Sequence, residues 1–289
     1  MQNVAPQDSA TLLVSCPDRK GLVAALGQLL YGHGVNILDA SQHTDLGAGQ
    51  FFQRIFIDLR ELHTDRIALE RAIAEVAERF SMRWELRYQG RPRRVALLVS
   101  KYDHCLQDLL WRYRAGELPC ELPLIVSNHP DLEPVARTYG VPFHHLPVDA
   151  ETRAAQERAI LELLARERVD LVVLARYMQV LGSELCAAYA ERIINIHHSF
   201  LPAFVGGKPY HQAYERGVKI IGATAHFVTS DLDQGPIIEQ DVARVTHRDT
   251  VEDMVRKGRD LERLVLARAV RAQLENRVLV YRNKTVVFE

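Results

Sequence analysis

The sequence predicts an α/β chain in two parts: a β-α-β-β-α-β unit over residues 8–88, then a mostly parallel sheet with helices on both faces over 95–289. Three observations carry this. In the second part, short Val/Ile/Leu runs alternate with amphipathic helical stretches, the rhythm of a parallel sheet covered on both sides. The first part follows the split order strand-helix-strand-strand-helix-strand with a hairpin at its centre. Between them, Gln89-Gly-Arg-Pro-Arg-Arg94 mixes Gly and Pro with basic residues and has no apolar period. That is the composition of a linker, placed at 89–94.

Thr11-Leu-Leu-Val-Ser15 reads as the first strand, and Asp18 stands where it could cap the helix that follows. Leu22, Ala25, Leu26, Leu29 and Leu30 form one helical face, which Gly32 and Gly34 end. Val35 opens a second strand, and Gly47-Ala-Gly49 turns it into a third, running from Gln50 to Leu59. Leu69, Ile73, Val76 and Phe80 mark the second helix. Met82, Trp84, Leu86 and Tyr88 then alternate with charged residues, as in a half-buried strand. This is the ferredoxin-like order. Beyond the linker, Val95-Ala-Leu-Leu-Val99, Leu122-Pro-Leu-Ile-Val126, Leu171-Val-Val-Leu174 and Ile193-Ile-Asn-Ile196 are the expected parallel strands of a Rossmann-like sheet, with a helix over 151–168. Segments 220–228 and 236–245 read as longer strands near the edge of that sheet. Thr250-Val-Glu-Asp253 is a capping pattern opening a helix to about Leu274, and a terminal hairpin turns at Asn283.

Of 289 residues, 47% are hydrophobic and 25% charged, and Lys+Arg 36 against Asp+Glu 37 leaves a net charge of -1. A surface for nucleic acid or anionic membrane is not indicated. Runs such as Leu171-Val-Val-Leu-Ala175 are too short to span a bilayer, and Met1-Gln-Asn-Val-Ala lacks the regions of a secretion signal, so a cytoplasmic protein is expected. Cys16, Cys105, Cys120 and Cys186 form no CxxC pair, so neither a disulfide framework nor a zinc ribbon is indicated.

The densest polar cluster, Asn195-Ile-His197-His198-Ser199, leaves an apolar strand. Asn195 and His197 are two apart and share a face, at the strand end where α/β sheets bind ligands. Both can donate to an oxyanion, and His can also exchange a proton near neutral pH. The alternative is a turn cap and a surface histidine. In Thr224-Ala-His226-Phe-Val-Thr-Ser-Asp231-Leu-Asp233-Gln-Gly235-Pro, Thr224 and His226 share a strand face and two carboxylates follow on a turn. Either carboxylate could work beside an imidazole, and either could simply form the turn. No HExxH or Cys/His spacing accompanies the twelve histidines, so no metal is expected. Ser199 lacks a GxSxG elbow, and Cys105 reads as packing. Val205-Gly-Gly-Lys208 is either a lid or a simple turn and matches no nucleotide motif.

In order and spacing, Asn195-x-His197, His226-Phe-Val and Asp231-Leu-Asp233-Gln-Gly-Pro-Ile-Ile resemble the catalytic signature of the folate-dependent formyltransferase superfamily, over roughly residues 94–289. The resemblance implies a catalytic set of Asn195, His197 and Asp233. It implies a folate cradle in Met178, Gln179, Val180 and Leu181, with Thr224, Asp231 and Gly235 helping to line the pocket. Asp18-Arg-x-Gly21-Leu22-Val and His33-Gly-Val-Asn36-Ile37 resemble an ACT domain. That implies an effector site at Asp18, Gly21, Leu22, Asn36 and Ile37, glycine or methionine as effectors, and a homo-oligomer. An ACT unit ahead of such a domain resembles the layout of hydrolases that convert 10-formyltetrahydrofolate to formate and tetrahydrofolate. Folate is then substrate, and no cofactor is consumed. A transferase acting on an amine such as glycinamide ribonucleotide is the alternative. Transferases of that kind carry a Gly-Ser-Asn type loop for the acceptor phosphate, where this chain has Ser100-Lys-Tyr102-Asp103-His-Cys105. Bulky Tyr102 and anionic Asp103 are poor neighbours for a phosphate, which favours water as nucleophile.

Overall fold

The computed structural model describes residues 8–202 and 209–289. Contacts divide the chain into two compact units. One is built on residues up to Pro92 with Asn276–Leu279 and Val286–Glu289; the other is Arg93–Glu275 with Val280–Thr285.

The first unit runs β1 (Ser9–Pro17), α1 (Leu22–Gly32), β2 (Asn36–Asp45), β3 (Gln50–Asp58), α2 (Arg66–Phe80), β4 (Arg83–Gln89), in the sheet order β2-β3-β1-β4. Neighbouring strands are antiparallel. Leu12, Val14, Ile55 and Ile57 on the sheet meet Leu26 and Leu30 of α1 and Leu69 and Ile73 of α2 in one core. Asp18 does not cap α1. The residue before the helix is Gly21, at φ 93 with no side-chain cap; a cap must stand next to the first turn, and Asp18 is three residues too early. The Asp18 N–H instead donates to the Gly49 carbonyl at 2.9 Å.

Gly90, Arg91 and Pro92 alone separate β4 from β5 (Arg93–Val99). Arg94 already belongs to the second unit, donating to Glu121 and to the Glu167 carbonyl, each at 2.6 Å. The order continues α3 (His104–Arg114), β6 (Cys120–Ser127), α4 (Glu133–Thr138), β7 (Phe143–His145), α5 (Arg153–Arg166), β8 (Leu171–Leu174), α6 (Ser183–Ala188) and β9 (Ile193–His197). Then follow α7 (Pro209–Arg216), β10 (Ile220–Phe227), β11 (Ile237–Arg244), α8 (Val251–Leu274), β12 (Val278–Tyr281) and β13 (Lys284–Val287). Three-residue β7 carries no apolar period, which is why the sequence pattern passes over it.

The large sheet has the order β11-β10-β9-β8-β5-β6-β7. Strands β9 through β7 are parallel, while β10 runs antiparallel to both β9 and β11. The chain leaves β5 toward β6 and β7, then returns to β8 on the other flank. That reversal opens a crevice at the carboxyl ends of β5 and β8. Ser100, just past β5, bridges it: its hydroxyl donates to Asn128 Oδ1 at 2.6 Å and accepts from the Met178 N–H at 2.9 Å.

Helix α8 packs on β9, β10 and β11 and opens with the expected capping box, in which Thr250 and Asp253 each bind the other's backbone N–H. Among the described residues no helix is long and apolar enough to cross a membrane. Replacing Thr250 with Ala is expected to cost about 1 kcal/mol, a drop of roughly 2–4 °C in the melting of the second unit. A calorimetric scan with no shift would mean that packing alone fixes the start of α8.

Candidate active site

The crevice widens into a cavity of about 540 Å³. Its floor is made where β9 and β10 pair, Asn195 opposite His226 and His197 opposite Thr224. Antiparallel register therefore puts three polar side chains of two strands side by side. The turn after β10 adds Asp233, whose backbone adopts φ 55, a conformation that Asp tolerates better than most residues. Its carboxylate lies 3.2 Å from His197 Nδ1 and 3.6 Å from His226 Nε2.

Hydrogen bonds fix the protons. His226 Nδ1 donates to the Phe227 carbonyl at 2.9 Å, which leaves Nε2 free to accept from Asn195 Nδ2 at 3.3 Å or, when protonated, to face Asp233. His197 Nδ1 donates to Asp233, while its Nε2 is buried without a hydrogen-bond partner among the described residues. Burial pushes the Asp233 carboxyl up, but hydrogen bonds and charge from His197 and His226 outweigh it and hold it well below the usual carboxylate range. Asp233 is thus an anion throughout the working range. It is not a base tuned toward neutrality.

Asn195, His197 and Asp233 come together as the motif spacing implied. Met178, Gln179, Val180 and Leu181 line the cavity on the segment leaving β8, with Met178 and Val180 half-exposed at its rim. Thr224, Asp231 and Gly235 do not line it. Thr224 is fully buried; its hydroxyl donates to the Ser199 carbonyl and accepts from the Leu201 N–H, tying down the chain that leaves β9. Asp231 is an exposed turn former whose carbonyl accepts from Thr229 Oγ1 and the Gln234 N–H. Gly235 lies so close to β10 that a Cβ there would collide with the Phe227 carbonyl oxygen. Asp103 is also turned aside, accepting from Gln107. The second carboxylate in the cavity wall is Glu262, joined there by Tyr102, His104, Arg176, Tyr210 and Arg259. The sequence held a signal for Glu262, a carboxylate on the apolar stripe Met254, Leu261, Val265, Leu266 of α8.

His104, Cys105 and Glu262 bring potential ligand atoms within 4.8 Å of one another. They do not make a good cation site. Glu262 already accepts from His104 and Tyr210, Arg176 stands 3.4 Å away, and burial pushes the Cys105 thiol well up. The loop Val205-Gly-Gly-Lys208, read from sequence as a lid or turn, lies outside the described residues. In the first unit, Gly21 turns the chain into α1, Asn36 and Ile37 lie exposed on edge strand β2, and Asp18 is exposed. Leu22 is buried in the core, so its side chain is not available to an effector.

His198 is neutral. Burial first and then the Arg176 charge lower its pKa to about 4, and its Nδ1 accepts from Arg176 Nη1 at 2.6 Å. The unfolded chain binds this proton more tightly, so its contribution to stability falls as pH drops from about 6.5 toward 4. His198→Asn keeps an acceptor near the Nδ1 position but cannot be protonated. The variant is expected to lose less stability than the parent between pH 7 and 4.5, by at most about 3 kcal/mol. Equal losses of unfolding free energy in parent and variant between the two pH values, measured by urea titration, would contradict the assignment.

The Formyl transferase family matches residues 93–270, and the ACT domain family matches residues 10–78. The chain is 55% identical over 288 residues to the formyltetrahydrofolate deformylase of Synechocystis, covering 100% of both chains. It is 49% identical to that of Bacillus subtilis, covering 98% of this chain and 94% of the relative. The crystal structure of a formyltetrahydrofolate deformylase from Pseudomonas syringae superposes with a TM-score of 0.95 at 48% identity, covering 99% of this chain and 96% of that one. With an ACT domain ahead of a formyltransferase domain and full-length identity of this order, the chain belongs to the formyltetrahydrofolate deformylase family.

Proposed function

We propose that the chain hydrolyses 10-formyltetrahydrofolate to formate and tetrahydrofolate at the Asn195–His197–Asp233 cluster. One observation carries the reading: a carboxylate held anionic beside an imidazole whose far nitrogen is buried and has no partner among the described residues, at the floor of a cavity. The N-formyl oxygen takes up the donors of Asn195 Nδ2 and His197 Nε2–H. Asp233 accepts from His197 Nδ1 and holds the ring in place. A water oriented by Asp233 adds to the formyl carbon and passes one proton to the carboxylate as the C–O bond forms. Its low basicity makes this uphill until the two donors take the charge on the oxyanion, each contributing ~3 kcal/mol. Collapse breaks the C–N bond and delivers that proton to the folate nitrogen. Formic acid then releases its own proton to solvent. The scheme needs no metal and no organic cofactor.

Met178, Gln179, Val180 and Leu181 are the folate cradle in this reading. Half-exposed apolar side chains beside a backbone free of strand and helix suit a flat heterocycle with polar edges. Tyr102 stands in the cavity wall with the Arg176 guanidinium 5.1 Å over its ring, leaving an acceptor phosphate no glycine-lined amide nest. Residues 8–88 act as an amino-acid-responsive unit, with glycine and methionine as the effectors to test, joined through 89–94 to a catalytic part over 95–289. Edge strand β2, with Ile37 and Leu38 each 41% exposed, supports a homo-oligomer joined through this unit.

Asp233→Asn keeps size but loses the anion, so turnover is expected to fall by a factor of ~100 or more, whereas Asp231→Asn changes it little. Equal losses would identify the turn, and not the carboxylate, as the requirement. The reaction itself is tested with label in the formyl carbon. Label is expected in formate whether or not glycinamide ribonucleotide is added. Label in the formylated nucleotide, with little formate, would move the chain to the transferase reading.

A further inference from the structure

Beside the His197–Asp233 pair the cavity wall holds a second carboxylate that the scheme above leaves unused. Glu262, on the inner face of α8, is 1% exposed. Its Oε2 accepts from His104 Nε2 at 2.8 Å and lies 3.4 Å from Arg176 Nε, and its Oε1 accepts from the Tyr210 hydroxyl at 3.0 Å. Arg176 in turn donates to His198, and the His198 ring stacks on His197 with centroids 5.2 Å apart and planes 26° from parallel. Contacts are therefore continuous from α8 to the imidazole that faces Asp233. Taking that imidazole as part of the reacting centre, as proposed above, we infer that Glu262 is a positioning residue: acting through Arg176 and His198, it fixes the plane of the His197 ring.

Local sequence choices fit this role. Arg176 sits at φ 64, a conformation costly for a long side chain and one that persists where surroundings enforce it. Gly258, one turn before Glu262 and inside a helix that glycine weakens, lies where a Cβ would collide with the Tyr210 hydroxyl. The groups around the two histidines are Arg176 at the end of β8, His104 of α3, Tyr210 of α7, His226 of β10, Asp233 on the turn and Glu262. Removing the Glu262 charge leaves Arg176 uncompensated, and an added positive field disfavours a protonated His197. It also frees Arg176 to leave His198.

Three measurements on the full chain test this. In Glu262→Gln the alkaline limb of the kcat profile is expected to move to lower pH by roughly 0.5 units or more, and an unmoved limb overturns the proposal. A lone buried guanidinium can prevent folding, so Glu262→Met/Arg176→Met removes both charges into apolar surroundings, a replacement that buried pairs often tolerate. That variant is expected to melt near the parent yet lose about tenfold or more in kcat with KM within roughly threefold. A stable variant with full kcat would make the pair merely structural. Nitrogen-15 histidine spectra give a readout independent of turnover. The parent His198 should carry its proton on Nε2 alone, and both tautomers should appear in the variants; a single unchanged tautomer overturns the coupling. If the parent released no formate, the hydrolase reading would fail while the tautomer result still judged this one.

Discussion

Everything at the cavity floor depends on one anion held between two imidazoles. Asp233 is only 13% exposed, and a carboxylate buried to that degree is stable only with partners. His197 and His226 supply them, and they can do so because β9 and β10 pair with His226 opposite Asn195. The same bonds settle the imidazoles. A carboxylate on one nitrogen of His197 turns the other away from Asp233, and the Phe227 carbonyl on His226 Nδ1 leaves its Nε2 toward Asn195 and Asp233. Slipping either strand by one residue would turn that strand's polar side chains to the opposite face and break the cluster.

That dependence explains which parts of the site were legible in the sequence. Asn195 and His197 could be placed on one face because strand side chains alternate, and the apolar run before them marked the strand. The choice between Asp231 and Asp233 could not be made from residue type, since both precede Gly235 on a turn; only the left-handed backbone at Asp233 aims that carboxylate at the histidines. Thr224 has the face that strand parity gives it but does not reach the cavity. It lies opposite His197, but the chain leaving β9 folds over it at Ser199 and Leu201 and takes up its hydroxyl. Parity along a strand says which way a side chain points. It does not say what covers it.

The folds of both units were legible for a similar reason. The apolar periods of α1, α2, α5 and α8 and the Val/Ile/Leu runs of β5, β6, β8 and β9 depend on local geometry that the pattern encodes directly. What failed was an atom-level assignment, the Asp18 cap, displaced by a glycine in a conformation that other residues reach at a cost. The apolar stripe of α8 marks Glu262 as buried, but its role was illegible for the opposite reason. Its chemistry comes from His104, Arg176 and Tyr210, which lie 158, 86 and 52 residues away along the chain, and no local window contains them.

A net charge of -1 over 289 residues conceals how tightly charge is matched inside the cavity. Asp233 faces His197 and His226. Arg176 faces Glu262, and it also meets a neutral imidazole and the face of Tyr102. A phosphate entering beside Tyr102 would find the guanidinium already engaged by Glu262, and at an effective dielectric near 20 two like charges about 4 Å apart cost about 4 kcal/mol. To bind there it would have to pull Arg176 away and leave Glu262 buried and less well compensated. Water incurs no such penalty. In the proposed reaction, Glu262 and not the outward-turned Asp103 is the carboxylate that an entering phosphate would meet in the cavity wall. The sequence offers a carboxylate in the loop after β5; the structure puts the one in the cavity wall on the long helix α8.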